Sequence, residues 1–207
     1  MDKADIKYDI VKECLSKIIS YTIWIGSIDL LLVFSFFQKQ DKIVIGQFSL
    51  PSRHIAIFMF FVLLYFIISL THKFDRIQGI YTSLDDNNEK INIKTYLNLY
   101  PSILNPFAEH DNSERSILFD NLGLGLQTFF YSMGFLMSIK YMVISNIWTL
   151  IIFICSFIIL VLFRIDLINL VHKTDGVISK ENQRLKRLFH YIFLVFTIVV
   201  YIILQSI

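Results

Sequence analysis

Residues 18–37 read IISYTIWIGSIDLLLVFSFF, a run of twenty in which Asp29 is the single charged side chain. At about 1.5 Å of rise per residue, such a run covers about 30 Å, the thickness of a bilayer's hydrocarbon core. Three further runs meet the same demand: Ile55–Thr71, short but extendable through His54 and His72, Val143–Phe163 and Leu188–Ile207. A fifth stretch, Asn121–Ile139, is diluted by Gly123, Gly125, Gln127, Thr128, Ser132, Gly134 and Ser138. The pattern predicts an all-α, polytopic transmembrane helix bundle of five spans, or four if the diluted stretch does not cross.

Composition agrees with that class. Of 207 residues 55% are hydrophobic and 17% charged, against about 45–50% and about 25% in soluble domains. The mean hydropathy is +0.60, and the apolar excess is gathered into runs rather than spread along the chain. The net charge of +2 is too small to suggest attraction to nucleic acid. Cys14 and Cys155 lie far apart with no metal-type neighbours, so neither a disulfide framework nor a thiolate metal site is expected.

Lys and Arg accumulate in cytoplasmic loops, and their placement decides the status of the fifth stretch. With five spans and a cytoplasmic N-terminus, 15 of them fall inside and 4 (Lys39, Lys42, Arg53 and Lys140) outside. If Asn121–Ile139 did not cross, six positive charges between Arg164 and Arg187 would face outward. The expectation is therefore a single transmembrane domain with spans 18–37, 55–71, 121–139, 143–163 and 188–207. Segments 1–17, 72–120 and 164–187 would be cytoplasmic and loop 38–54 external. Eight charges precede the first run and no small-residue cleavage site follows it, which argues against a cleaved signal peptide.

The connections have their own character. Segment 1–17 places Ile6, Ile10, Val11, Cys14 and Leu15 at helical spacing and reads as an amphipathic helix entering the first span. Residues 42–51, KIVIGQFSLP, alternate weakly around Gly46, as in a small hairpin or interfacial loop. After the second span a helical continuation to Tyr81 breaks at Asp85-Asp86-Asn87-Asn88 and resumes over Ile91–Tyr100, before Pro101 and Pro106. Between His72 and Leu118 seven acidic residues outnumber five basic ones, which argues against nucleic-acid binding there. Thr174-Asp175-Gly176 turns the chain ahead of the last helix, with Ser179 placed to cap it.

Few residues carry chemistry. Asp29 lies eleven residues into its span, about 16 Å along the axis and near mid-membrane, where an ionised carboxylate costs roughly 2.5–3.5 kcal/mol to insert. It is expected to be protonated and hydrogen-bonded to Tyr131, Ser132, Thr149, Thr197 or its copy in an oligomer, or else to form a proton or cation site. The polar residues Gln127, Thr128 and Ser132 of the third span must be covered by protein or line a wet cavity. Gly26, Gly123, Gly125 and Gly134 are read as helix-packing positions. The five histidines show no metal-binding spacing, and no nucleophile elbow, Walker loop or dinucleotide fingerprint occurs. No catalytic residue, metal or cofactor is expected, and the chain is not read as an enzyme.

The plan as a whole, a lone bundle of about 200 residues with the Ile/Lys/Asn-rich stretch DNNEKINIK at 86–94 and no enzyme motif, resembles the small multi-pass membrane subunits of bacterial anti-phage defence loci. Foremost among these is the membrane subunit of the Kiwa system, with the membrane accessory proteins of type VI CRISPR loci second. Such subunits have four spans where five are counted here. The resemblance implies an inner-membrane oligomer that holds a soluble effector on its cytoplasmic face; it carries over no functional residue.

Two readings follow. One is a non-enzymatic membrane scaffold or sensor that forms a homo-oligomer and binds a cytoplasmic protein through 72–118 and 164–187. The other is a channel or transporter subunit using Asp29 and the polar third span. Homo-oligomerisation is expected because one small chain would struggle to bury both Asp29 and the polar stripe.

Overall fold

The computed structural model describes residues 3–37, 42–45, 48–108, 116–143 and 177–206, with isolated positions between 147 and 158. Helix α1 runs unbroken over Lys3–Phe37, joining the amphipathic N-terminal segment and the first apolar run into one rod. A two-stranded antiparallel hairpin follows, β1 (Lys42–Ile45) with β2 (Phe48–Pro51), in the register Lys42↔Pro51 to Ile45↔Phe48. The weak alternation around Gly46 is thus a hairpin. Helix α2 (Ser52–Thr82) descends beside α1, and α3 (Asn87–Leu99) follows a short break. Helices α4 (Ser116–Val143) and α5 (Lys180–Ser206) complete the described elements.

Three described helices contain stretches long and apolar enough to cross a membrane: Asp5–Leu31, Ile57–Thr82 and Asn182–Leu204. This is a helical membrane protein. Each stretch reaches further toward one end of the bundle than the apolar runs themselves, taking in Lys12, Glu13 and Lys17 on α1 and Lys73, Asp75 and Arg76 on α2. Such charges are costly in hydrocarbon, so these ends stand clear of it as a polar layer. Length says the same: α1, with 35 residues, is about 52 Å long against a core of about 30 Å. The expected third span lies within α4. The expected fourth, 143–163, falls mostly outside the described residues, which include only positions 143, 147, 150, 151, 154, 155 and 158 of it, and residues 159–176 lie outside them altogether.

One apolar core threads both layers. Val11, Cys14, Leu15 and Ile18 of α1 join Leu70, Phe74 and Ile77 of α2 in the polar layer, and Ile25, Ile28, Leu63 and Ile67 continue it into the bundle. Helix α4 packs most extensively on α5 and also touches α1 and α2. The outward faces carry Ile23, Trp24, Leu30 and Leu31 on α1, Phe58 and Phe61 on α2, and Leu188, Ile192, Val195 and Val199 on α5, all exposed. That inside-out distribution suits a lipid surround, because hydrocarbon solvates such side chains as well as a protein core does.

Asp86 caps α3, accepting a hydrogen bond from the Asn88 amide at 2.8 Å, which starts the helix four residues before the periodic stretch at Ile91. After α3, the loop to Phe107 is held by Asn105. Its amide donates to the Leu97 and Tyr100 carbonyls (2.6 and 3.3 Å), and its Oδ1 accepts from the Phe107 amide at 3.0 Å. Phe107 is buried against Phe74, which ties the loop to α2.

Candidate functional site: a buried polar face on α4

The polar residues of α4 fall three and four apart and so share one side of the helix, turned into the bundle. Gln127 and Thr128 are buried, Ser132 is half-buried, and Tyr131 is 1% exposed. Each finds a local arrangement. Gln127 Nε2 donates to the Leu104 carbonyl at 3.1 Å, while its buried Oε1 has no hydrogen-bond partner among the described residues.

The Thr128 hydroxyl has one proton and two neighbours, the Leu124 carbonyl at 2.9 Å and His190 Nδ1 of α5 at 2.7 Å. The proton goes either to the Leu124 carbonyl, with His190 donating from Nδ1, or to Nδ1 itself, according to the imidazole tautomer. The same logic applies one turn on. The Thr22 hydroxyl lies 2.9 Å from the Ile18 carbonyl and 3.3 Å from the Tyr131 hydroxyl, and either hydroxyl can donate to the other.

Asp29 breaks this pattern. It is 4% exposed, enclosed by the chain's own helices, and neither carboxylate oxygen has a hydrogen-bond partner among the described residues. Its Oδ1 lies directly over Gly134 of α4, in the space a Cβ there would fill, with Leu63 of α2 alongside. Two of the expected partners are engaged elsewhere, Tyr131 with Thr22 and Thr197 with the Phe193 carbonyl at 2.7 Å. Thr149 lies outside the described residues.

The glycines explain how close the helices come. A Cβ at Gly26 would press on the Phe130 ring at 3.2 Å, and one at Gly125 would enter the Phe193 ring at 2.6 Å. At Gly123 the obstacle is not a helix but the loop: the Asn105 carbonyl oxygen stands 2.6 Å from the position of a Cβ.

Both Asp29 and the Gln127–Thr128 pair are thus buried within one chain. The ground given for a homo-oligomer, that a single copy could not cover them, does not hold, because α1, α2 and α5 supply the cover. His190, which meets Thr128 on this face, and Lys186, one turn before it on α5, are both buried, and the sequence does not mark either. Their only signal was position, four residues apart at the start of the last apolar run, and nothing local reveals that His190 meets Thr128, 62 residues away. Among the described residues no group of His, Cys, Asp and Glu could hold a metal ion. No family model matches the chain, and no curated protein or solved structure matches it.

Proposed function

We propose that the chain is a five-span, non-enzymatic scaffold or sensor of the bacterial inner membrane, with a cytoplasmic N-terminus. It holds a soluble protein on its polar layer, and with burial no longer a ground for it, a homo-oligomer is supported only by the likeness of the overall plan to defence-system membrane subunits. The observation that carries this reading is the apolar surface displayed beyond the membrane zone. Leu99 is 74% exposed and Ile91 60%, both on α3, and Ile103 is exposed on the loop that follows. Lipid cannot solvate these side chains if the layer stands in water, and exposed apolar side chains of this kind on a firmly packed platform suit a protein partner. The asymmetry of Lys and Arg supports the orientation, and the overall plan, like that of anti-phage defence subunits, supports the setting.

Purification from native membranes in a mild detergent, with mass spectrometry of co-eluting proteins, tests this. A specific partner should co-purify with the wild type and be lost with Ile91→Ser/Leu99→Ser, while the chain's own elution and crosslinked oligomer are unchanged. A chain that elutes alone and monomeric rejects it.

Asp29 favours a second reading, a channel or transporter subunit. A carboxylate buried in a membrane bundle without a hydrogen bond invites a proton or a small cation. The face that continues from it through Tyr131 and Thr128 to His190 supplies further groups able to pass a proton. Flux through liposomes containing the purified chain separates the two readings.

A further inference from the structure

Between the N-terminal end of α1 and α3 lies a cleft of about 680 Å³, away from the α4 face. Its floor is apolar, formed by buried Leu84 and Ile93. Three tyrosines wall it. The Tyr96 ring stands at the centre, meeting Tyr8 of α1 edge-on (centroids 5.1 Å apart, planes at 63°) and Tyr100 likewise (5.9 Å, 75°). The rings pack edge to face on one another and give the cleft an aromatic wall, a surface on which proteins can hold alkylated ammonium groups. Burial, with Tyr100 and Tyr8 adjoining, pushes the Tyr96 phenol above its usual range, so it is neutral at physiological pH. Two carboxylates, Asp5 and Glu89, belong to the lining, which among the described residues includes no Lys, Arg or His.

We propose that this cleft binds an organic cation, an ammonium or guanidinium group on an apolar stem, with its charge against the tyrosine faces and Glu89 and its stem on Leu84 and Ile93. The volume suits a small molecule or one basic side chain. A strongly hydrated inorganic ion would gain little from such a floor, and an anion would be repelled by Glu89. The inference extends the partner reading but does not depend on it, since binding can be measured on the isolated chain.

The test uses the full-length protein in a maltoside detergent, titrated calorimetrically with choline and with its neutral isostere 3,3-dimethylbutan-1-ol. Choline should bind saturably, and the isostere at least about five-fold more weakly, the factor of one cation–π contact. Glu89→Gln and Tyr8→Leu, at positions not fully buried, should each weaken choline by a similar factor and leave thermal unfolding unchanged. A parallel titration with Nα-acetylarginine amide identifies the source. Tighter binding of the arginine derivative points to a partner's side chain, and tighter binding of choline points to a free metabolite. Equal binding of choline and its isostere would show an apolar cleft with no charge recognition and overturn the proposal. So would an absence of binding by choline and the arginine derivative alike, whether or not a protein co-purifies with the chain.

Discussion

The two ends of α4's buried face solve the same problem differently. The polar side-chain atoms of Gln127 and Thr128, all but Gln127 Oε1, are drawn into a network, the amide donating to the Leu104 carbonyl and the Thr128 hydroxyl lying between the Leu124 carbonyl and the His190 imidazole. Seven residues on, about 10 Å along the axis, Asp29 lies over Gly134 with no hydrogen bond to either oxygen. Partnered groups lock helices in register, because a buried polar atom left alone costs about 1–3 kcal/mol. An unpartnered carboxylic acid does the opposite: it weakens the fold and persists where something other than the fold uses it. The first end is therefore read as structure and the second as the place to look for a ligand, a proton or a response.

Adding one methyl group at each end breaks or sharpens this contrast most strongly. Gly123→Ala drives a Cβ into the Asn105 carbonyl, and backbone pinned by three hydrogen bonds has nowhere to go. A loss of about 2–3 kcal/mol, at the upper end for overpacking, is expected in thermal or denaturant unfolding of the solubilised protein. Gly134→Ala meets a side chain instead, so it should cost less, and the cost should largely vanish in an Asp29→Ala background. Equal, additive losses at the two glycines would show that the Asp29 end is as rigid as the other.

Asn105→Ala comes next. It removes the acceptor of the Phe107 amide and the donor to Leu97 and Tyr100, and about 2 kcal/mol is expected from the orphaned groups. Faster amide exchange should be confined to the loop and the last turn of α3. Thr128→Val is smaller. It keeps the shape, removes the oxygen that His190 Nδ1 meets, and should cost about 1 kcal/mol. Thr128→Ser should restore most of that, and a serine variant as unstable as valine would assign the effect to packing.

Much of this architecture is legible along the chain because hydrophobic solvation is local. Runs such as Ile18–Phe37 and Leu188–Ile207 announce apolar helices by length alone, and the weak alternation of KIVIGQFSLP around a glycine suits a hairpin or an interfacial loop, of which the hairpin is what forms. What is not legible depends on meetings between distant segments. Asn105, in an Asn-Pro pair, reads as a chain breaker, yet it is the hub that fixes the loop against Gly123. His190 reads as a boundary histidine, yet it faces Thr128. Asp29 is legible as a costly residue at mid-membrane depth, but its cover is not. The cover comes from a glycine 105 positions away, whose missing side chain makes room for the carboxylate.

Asp29→Asn produces the smallest change in stability and decides the most. The amide has nearly the shape of the acid, so the contact with Gly134 survives. Any part of the cost of holding an ionisable group in the bundle is removed, so unfolding should be unchanged or shifted upward by no more than about 1 kcal/mol. Asp29→Leu is a different experiment, since its branched end does not fit over Gly134 beside Leu63, and it should lower stability. Under the scaffold reading the Asn variant keeps its oligomer and its partner, and liposomes containing either protein are equally tight to protons and monovalent cations. Under the transport reading the wild type leaks in a pH-dependent way and the Asn variant does not, because the proton-binding group is gone while the helices around it are intact. Flux in the wild type that disappears in Asp29→Asn, with oligomer size and partner retention unchanged, would move the function of this chain from the polar layer to the unpartnered end of α4.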